Sequence, residues 1–313
     1  MSEIESPVWI VGFWRRFAAF AIDVIVLGLV GVLLGLIAST QLVQLGPWGR
    51  ALGFVITVVY FGVQESGLAR GQTLGKRLLN VAVRKTDGGY LPLWQSLLRA
   101  AVFALPVSLN GAQVPEWILL SWLRYGLLLV ILGGLLSYAY LLIFNRLTRQ
   151  APYDLLVGSV VVKADLEPQP VAGVWRGHYW ALLVLAIVVL MGGYAFTQQL
   201  SRYSDQLAPL HAIQEMVSQE EGVDYTRVSI NFPTLKQATI TDSYLTIQAV
   251  IDTKTIDDPE LAKRLALRAM AADESVTQVQ AISVVLSYGY DIGFASFWRH
   301  QSFPFKPEEL QPE

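Results

Sequence analysis

An ionisable side chain inside an apolar run is the first place to look for chemistry. At mid-span in a bilayer such a charge costs about 3 kcal/mol, so it persists only where something stabilises it. Asp23 is the single charge between Phe17 and Ala38. Arg16 lies seven residues earlier, nearly two helical turns, so the two side chains point the same way about 10 Å apart, with the small Ala19 between them. They cannot touch without a third group. The pair describes a polar stripe facing a bundle interior, where Asp23 either meets a cation or hydroxyl from another helix or binds a transported ion. Arg16 also reads as an interfacial charge whose stem lies along apolar surface.

Glu65 closes the second apolar run and is a candidate ion ligand, or an ordinary interfacial carboxylate. Asp154 follows Pro152, a setting for a carboxylate that caps a helix start or pairs with Lys76 or Arg77. Gly71-Gln72-Thr73-Leu74-Gly75-Lys76 has the look of a phosphate loop but only three residues between its glycines, and Arg77 follows where magnesium needs a hydroxyl. It reads instead as a glycine turn holding Lys76 and Arg77 at inner headgroups. His178, His211 and His300 have no metal-ligand spacing, so the sequence defines no metal, and no cofactor motif is present. Ser302, His300 and Asp291 lack a nucleophile elbow and an oxyanion site, which points away from an enzyme.

The elements that must hold these residues are membrane spans. The chain has 313 residues, 53% hydrophobic and only 15% charged, a balance a water-soluble domain would struggle to keep monomeric. Phe17 to Ala38 is the first span, long enough for a hydrocarbon core of about 30 Å. A second covers about Ala51 to Val63. Residues 65–99 carry Arg70, Lys76, Arg77, Arg84, Lys85 and Arg99 against Glu65 and Asp87, which marks them as cytoplasmic. Leu97 to Leu109 and Trp117 to Phe144 form a helical hairpin, and Trp180 to Phe196 leads out again. About five crossings result, with the N-terminus cytoplasmic and no cleavable signal. If Leu97 to Leu109 lies in the interface instead, the count is even and the tail stays inside. Gly28, Gly31 and Gly35 give a close-packing face, within the chain or between copies in a homo-oligomer.

Past Ser201 the pattern turns amphipathic. Leu207, Leu210, Ile213, Met216 and Val217 make a helical stripe, Val228 to Phe232 is β-like, and Leu245, Ile247, Ala249 and Ile251 alternate as a strand. Asp258-Pro259 opens a helix with Leu261, Leu265, Leu267 and Met270 as its apolar residues, and Ile282, Val284, Leu286 and Tyr288 alternate again. The order is α-β-β-α-β. The aromatic run Tyr288, Tyr290, Phe294, Phe297, Trp298, Phe303 and Phe305 is a core edge or an apolar contact surface. Residues 1–200 hold 14 Lys+Arg against 9 Asp+Glu and residues 201–313 hold 9 against 16, so nothing invites nucleic acid. No cysteine is present, which excludes disulfides and thiolate metal sites. Leu78 to Lys85 and Leu155 to Lys163 look loosely alike without making a tandem repeat, and as two cytoplasmic strands they could pair, with Asp87-Gly88-Gly89 turning the first back.

Arg16-x-x-Ala19-x-x-Ile22-Asp23, then Gly71 to Arg77, then Arg149-Gln150, Tyr153-Asp154 and Gly158 to Val162 together resemble the RDD family over about residues 10–165. The resemblance places the family's arginine and two aspartates on Arg16, Asp23 and Asp154, with Tyr153 where a histidine is expected, and it implies transport, with cation/proton exchange proposed for some members. The expected fold is an α-helical polytopic membrane bundle with a small C-terminal α+β extramembrane domain. Its divisions are 1–165, a linker and last span over 166–200, and an extracytoplasmic domain over 201–313. The leading expectation for function is a non-enzymatic protein that binds or moves a small cation, with Asp23 as the intramembrane carboxylate and Arg16 and Asp154 setting the inner mouth. The alternative is an anchor or assembly protein that presents residues 201–313 to an extracytoplasmic partner.

Overall fold

The computed structural model describes residues 8–167, 173–201, 204–231 and 243–310; Glu3, Glu5, Phe232 and the side chain of Leu207 lie outside the described residues. The chain forms two units, one built mostly from residues up to Phe196 and the other mostly from Thr197 onward.

Continuous apolarity gives the first unit its helices. α1 (Phe13–Gln44) starts before the predicted span and has non-helical backbone at Ala38 (φ −130°, ψ 29°). Then come α2 (Gly49–Gln64), a short α3 (Leu74–Leu78), strand β1 (Val81–Lys85), α4 (Leu93–Leu109), α5 (Leu123–Phe144), a short α6 (Pro152–Val157), strand β2 (Ser159–Lys163) and α7 (Arg176–Ser201). Among the described residues four segments are long and apolar enough to cross a bilayer: Phe13–Gln44, Gly46–Gln64, Leu123–Phe144 and Arg176–Gln199. The remaining predicted crossing is α4, with 17 residues, about 25 Å at 1.5 Å per residue against a core of about 30 Å.

Pro106 explains how α4 meets α5. A proline inside a helix has no N–H for the carbonyl four residues back, here Val102. The Tyr138 hydroxyl of α5 donates to that oxygen at 2.5 Å, which satisfies the acceptor from the neighbouring helix. Just before Tyr138 the helix takes a π-helical stretch, Leu129–Gly133. Gly134 then leaves room for the proline ring, since a Cβ there would stand 2.9 Å from Pro106 Cγ.

β1 and β2 pair antiparallel about Val83↔Val161. Asp87-Gly88-Gly89 does end β1, with Lys85 N–H donating to Gly89 O at 2.8 Å, but it turns the chain into α4 and not into the partner strand, which arrives after α5. Residues 9–11 extend the ribbon: Ile10 bridges Val162, and Lys163 N–H donates to Trp9 O at 2.9 Å. Both faces are buried, with Val81, Val83 and Val161 in one cluster and Ala82, Val160 and Val162 in another. This double burial accounts for the unbroken valine run.

The loose likeness between the two strand segments is a local structural repeat. Gly71 and Arg149 both take positive φ (72° and 49°), and so do Asn80 and Gly158 (51° and 64°). Between them stand α3 and α6, each preceded by an extended residue, Thr73 or Ala151. Gln72 Nε2 donates to Val81 O and Gln150 Nε2 donates to Ser159 O, each at 2.9 Å. Residues 71–85 and 149–163 thus run through the same conformations in the same order.

The second unit has α8 (Ser204–Ser218), β3 (Val223–Asn231), β4 (Tyr244–Ile251), α9 (Pro259–Ala272), β5 (Ala281–Asp291) and β6 (Ser296–Phe305), the strands lying in the order β3-β4-β5-β6. β3 and β4 are antiparallel, and β4 and β5 are parallel across α9. Asp258 caps α9 as its sequence suggests, Oδ1 accepting Leu261 N–H at 2.8 Å. The α-β-β-α-β order omitted β6. Its residues are almost all exposed, so no buried alternation marks it, and Pro304 suits an edge strand. Within the aromatic run, Tyr288 and Tyr290 are buried while Phe297 and Trp298 are exposed. Leu267, expected on the apolar face of α9, points outward at 38% exposure.

Candidate functional site

Asp23 is fully buried and takes three hydrogen bonds. Oδ1 accepts the Tyr60 hydroxyl of α2 at 2.8 Å and the Gly75 N–H at 2.9 Å, and Oδ2 accepts the Thr73 hydroxyl at 2.6 Å. Thr73 also caps α3, its Oγ1 accepting Lys76 N–H at 3.3 Å. One carboxylate therefore ties α1 and α2 to the start of α3. The approach needs glycine at position 75, because a Cβ there would lie 2.1 Å from Ala19 O and 3.1 Å from Asp23 Cγ. Gly71, at φ 72°, is held as closely, with Val83 O 2.2 Å from where its Cβ would be. Arg16 lies on α1 without touching Asp23. Its Nε donates to Val11 O at 3.0 Å, Nη1 to Arg149 O at 2.6 Å and Nη2 to Val161 O at 3.1 Å, which fastens α1 to the ribbon.

The two remaining predicted carboxylates meet through Arg99 of α4. Its Nη1 donates to Glu65 Oε2, while Nε and Nη2 lie 2.9 and 2.8 Å from Asp154 Oδ1. Glu65 also holds Lys76 Nζ at 2.5 Å. Asp154 accepts the Ser159 hydroxyl at 2.8 Å and the Ala151 N–H at 3.2 Å, so it caps α6. Its cationic partner is Arg99, not the Lys76 or Arg77 that the sequence suggested. Lys76 is taken by Glu65, and Arg77 is exposed and forms no ion pair among the described residues. Nor is Glu65 an ordinary interfacial group, since it is 2% exposed. Burial alone would raise its carboxyl pKa, but Arg99 and Lys76 together hold it below the ordinary value of 4.5.

In the sequence Arg99 is only one of six basic residues in the 65–99 connection. The available signal was its place in the first turns of an apolar helix, where a guanidinium needs carboxylates. Only the fold brings residues 65, 76, 99 and 154 to one point.

Three members of this network help to line a cavity of about 210 Å³, whose wall is Phe13, Arg16, Phe17, Phe20, Phe61, Glu65, Lys76, Arg99, Phe103, Tyr138, Leu142, Tyr153 and Val161. Arg99 lies 4.9 Å from the ring centroid of Tyr153, and Lys76 lies 5.5 Å from that of Phe61, so aromatic faces share in holding both cations. Burial pushes the Tyr153 hydroxyl above its ordinary value, with the Asp154 charge adding to the shift. It stays protonated in the neutral range. Among the described residues no group of three His, Cys, Asp or Glu side chains is placed to hold a metal ion.

Apolar helices of crossing length, together with a buried ion network at one end of the bundle, define a polytopic membrane protein. Residues 10–158 match the model of the RDD family, and the C-terminal remainder lies outside the match. No curated protein of similar sequence was found.

Proposed function

We propose that the bundle binds and exchanges a small monovalent cation for a proton, with Glu65 as the exchanging carboxylate and Lys76 as its built-in competitor. The observation that carries this reading is the Lys76 ammonium at 2.5 Å from Glu65 Oε1, on a carboxylate that also lines the cavity. A tethered ammonium there stands in for a free cation. When Lys76 gives up one proton and withdraws, the Glu65 oxygen is open to one cation, so charge is conserved across the swap. This reading moves the exchanging role from Asp23, whose oxygens are already occupied by three donors, and leaves Arg16 and Asp154 to shape the mouth. The protein is read as non-enzymatic.

Cation-driven proton flux in proteoliposomes tests the idea. Glu65→Gln abolishes exchange, and Lys76→Gln uncouples cation movement from proton release. Wild-type flux in a folded Glu65→Gln protein would end the reading. The orientation proposed is N-terminus cytoplasmic and second unit extracytoplasmic, supported by the basic residues in 65–99 and 145–178. A cysteine at the exposed Ser218 reports it, because no native cysteine competes; protection from an impermeant thiol reagent on intact cells would reverse the orientation. The anchor reading draws on the second unit having its own buried residues, such as Ile213, Leu245, Leu265 and Leu286. Affinity capture with the full chain, compared with one lacking residues 201–313, separates it from transport.

A further inference from the structure

The charges that line the cavity do not all cancel; Asp23, the other buried carboxylate of this region, does not line it and is held by uncharged donors. Lys76 and Arg99 are matched by Glu65 and Asp154, two against two. Arg16 lines the same cavity and makes no ion pair among the described residues. Its hydrogen bonds all go to neutral carbonyls, and three of the five N–H groups of a guanidinium are thereby used. Asp154 attracts the guanidinium without contact and is already bonded to Arg99, so the charge is oriented but has no ion pair of its own.

Beside it runs an apolar strip. Phe13, Phe17 and Phe20 follow one another at helical spacing along α1, with Phe13 and Phe17 stacked at 6.1 Å and Phe17 and Phe20 exposed by 53% and 38%. Phe61 and Phe103 add to the apolar lining. A cation at the head of a phenyl-lined strip, on a helix that meets lipid, matches an amphiphile with a negative headgroup and an acyl chain. A zwitterionic lipid brings no net charge to Arg16, and a small inorganic anion leaves the phenyl strip bare.

From this charge count and this geometry we infer that the cavity is a binding site for an anionic phospholipid, its phosphate on Arg16 and the start of an acyl chain along Phe17 and Phe20. The site does not depend on exchange at Glu65 and is tested without measuring flux.

The full-length protein is stripped of lipid in detergent. It is then titrated with phosphatidylglycerol, with phosphatidylcholine of the same chains, or with inorganic phosphate, and bound lipid is counted by native mass spectrometry beside thermal denaturation. One phosphatidylglycerol per chain is expected, held about fivefold more tightly than phosphatidylcholine, the discrimination one basic side chain supplies near a membrane surface. Arg16→Gln removes the preference and Arg16→Lys restores part of it. Because Arg16→Gln also loses bonds to the ribbon, Phe17→Glu is the second variant. It changes an exposed ring, keeps those bonds and is expected to expel the lipid. Equal retention of the two lipids overturns the inference. So does undiminished preference in a folded Arg16→Gln or in Phe17→Glu, and so does stabilisation by inorganic phosphate equal to that by phosphatidylglycerol.

Discussion

Replacing Arg99 by glutamine keeps some polarity but removes the cation that joins Glu65 to Asp154. Removing one partner of a buried ion pair costs about 3–5 kcal/mol, because the remaining charge is left buried with neither water nor a counter-charge to compensate it. Here two carboxylates are stranded, yet neither is left bare. Glu65 keeps Lys76 at 2.5 Å, and Asp154 keeps the Ser159 hydroxyl and the Ala151 N–H. The expected loss is therefore near the lower end, about 3 kcal/mol. Glu65→Gln alone strands part of Arg99 and Lys76 and is also destabilising. In the double variant each change removes the reason the other was costly, so the pair should cost less than the sum by about 1–3 kcal/mol. Arg99→Lys is intermediate, because one ammonium cannot present the fork that reaches both carboxylates. Equilibrium unfolding in mixed micelles with a denaturing detergent, followed by tryptophan fluorescence, measures all four proteins. A loss below about 1 kcal/mol for Arg99→Gln, or strict additivity in the double variant, would refute the network as a coupled unit.

Gly75→Ala should lose about 3 kcal/mol by the same assay, since the methyl meets Ala19 O and pushes α3 off Asp23; wild-type stability would refute the need for glycine where α3 meets α1. Tyr138→Phe should cost about 1–3 kcal/mol by leaving the Val102 carbonyl without a donor, but clearly less in a Pro106→Ala background, where residue 106 regains an N–H for that oxygen. Equal costs in both backgrounds would sink that account. Because the Glu65 carboxyl is depressed, its contribution to stability is complete above the ordinary value of 4.5 and is lost as pH falls through the lower folded value. Wild type should therefore lose stability more steeply than Glu65→Gln in that acid range, and parallel pH profiles would count against the pairing.

Much of this was legible along the chain because membrane burial acts on every residue of a long segment at once. Four apolar runs became helices of crossing length, with boundaries shifted by a few residues where caps and prolines decide. The α+β tail was legible for the complementary reason that period-2 and helical stripes record which face is buried. It failed at β6, whose residues are mostly exposed and carry no such record. Asp23 stood out because a charge in an apolar run needs a partner, but the run could not name Tyr60 or Thr73.

What the sequence determined by itself was solvent and local form: which segments seek lipid, where glycine and proline turn the chain, and which carboxylates need company. Tertiary structure alone decided which cation each carboxylate received. Ion pairing depends on distances of a few ångströms between residues that lie 11 to 55 positions apart, and no local pattern encodes them. They are set by the β1–β2 ribbon and by the closeness of α3 to α1, which bring Lys76, Arg99, Glu65 and Asp154 together and leave Arg16 without an ion pair of its own among the described residues.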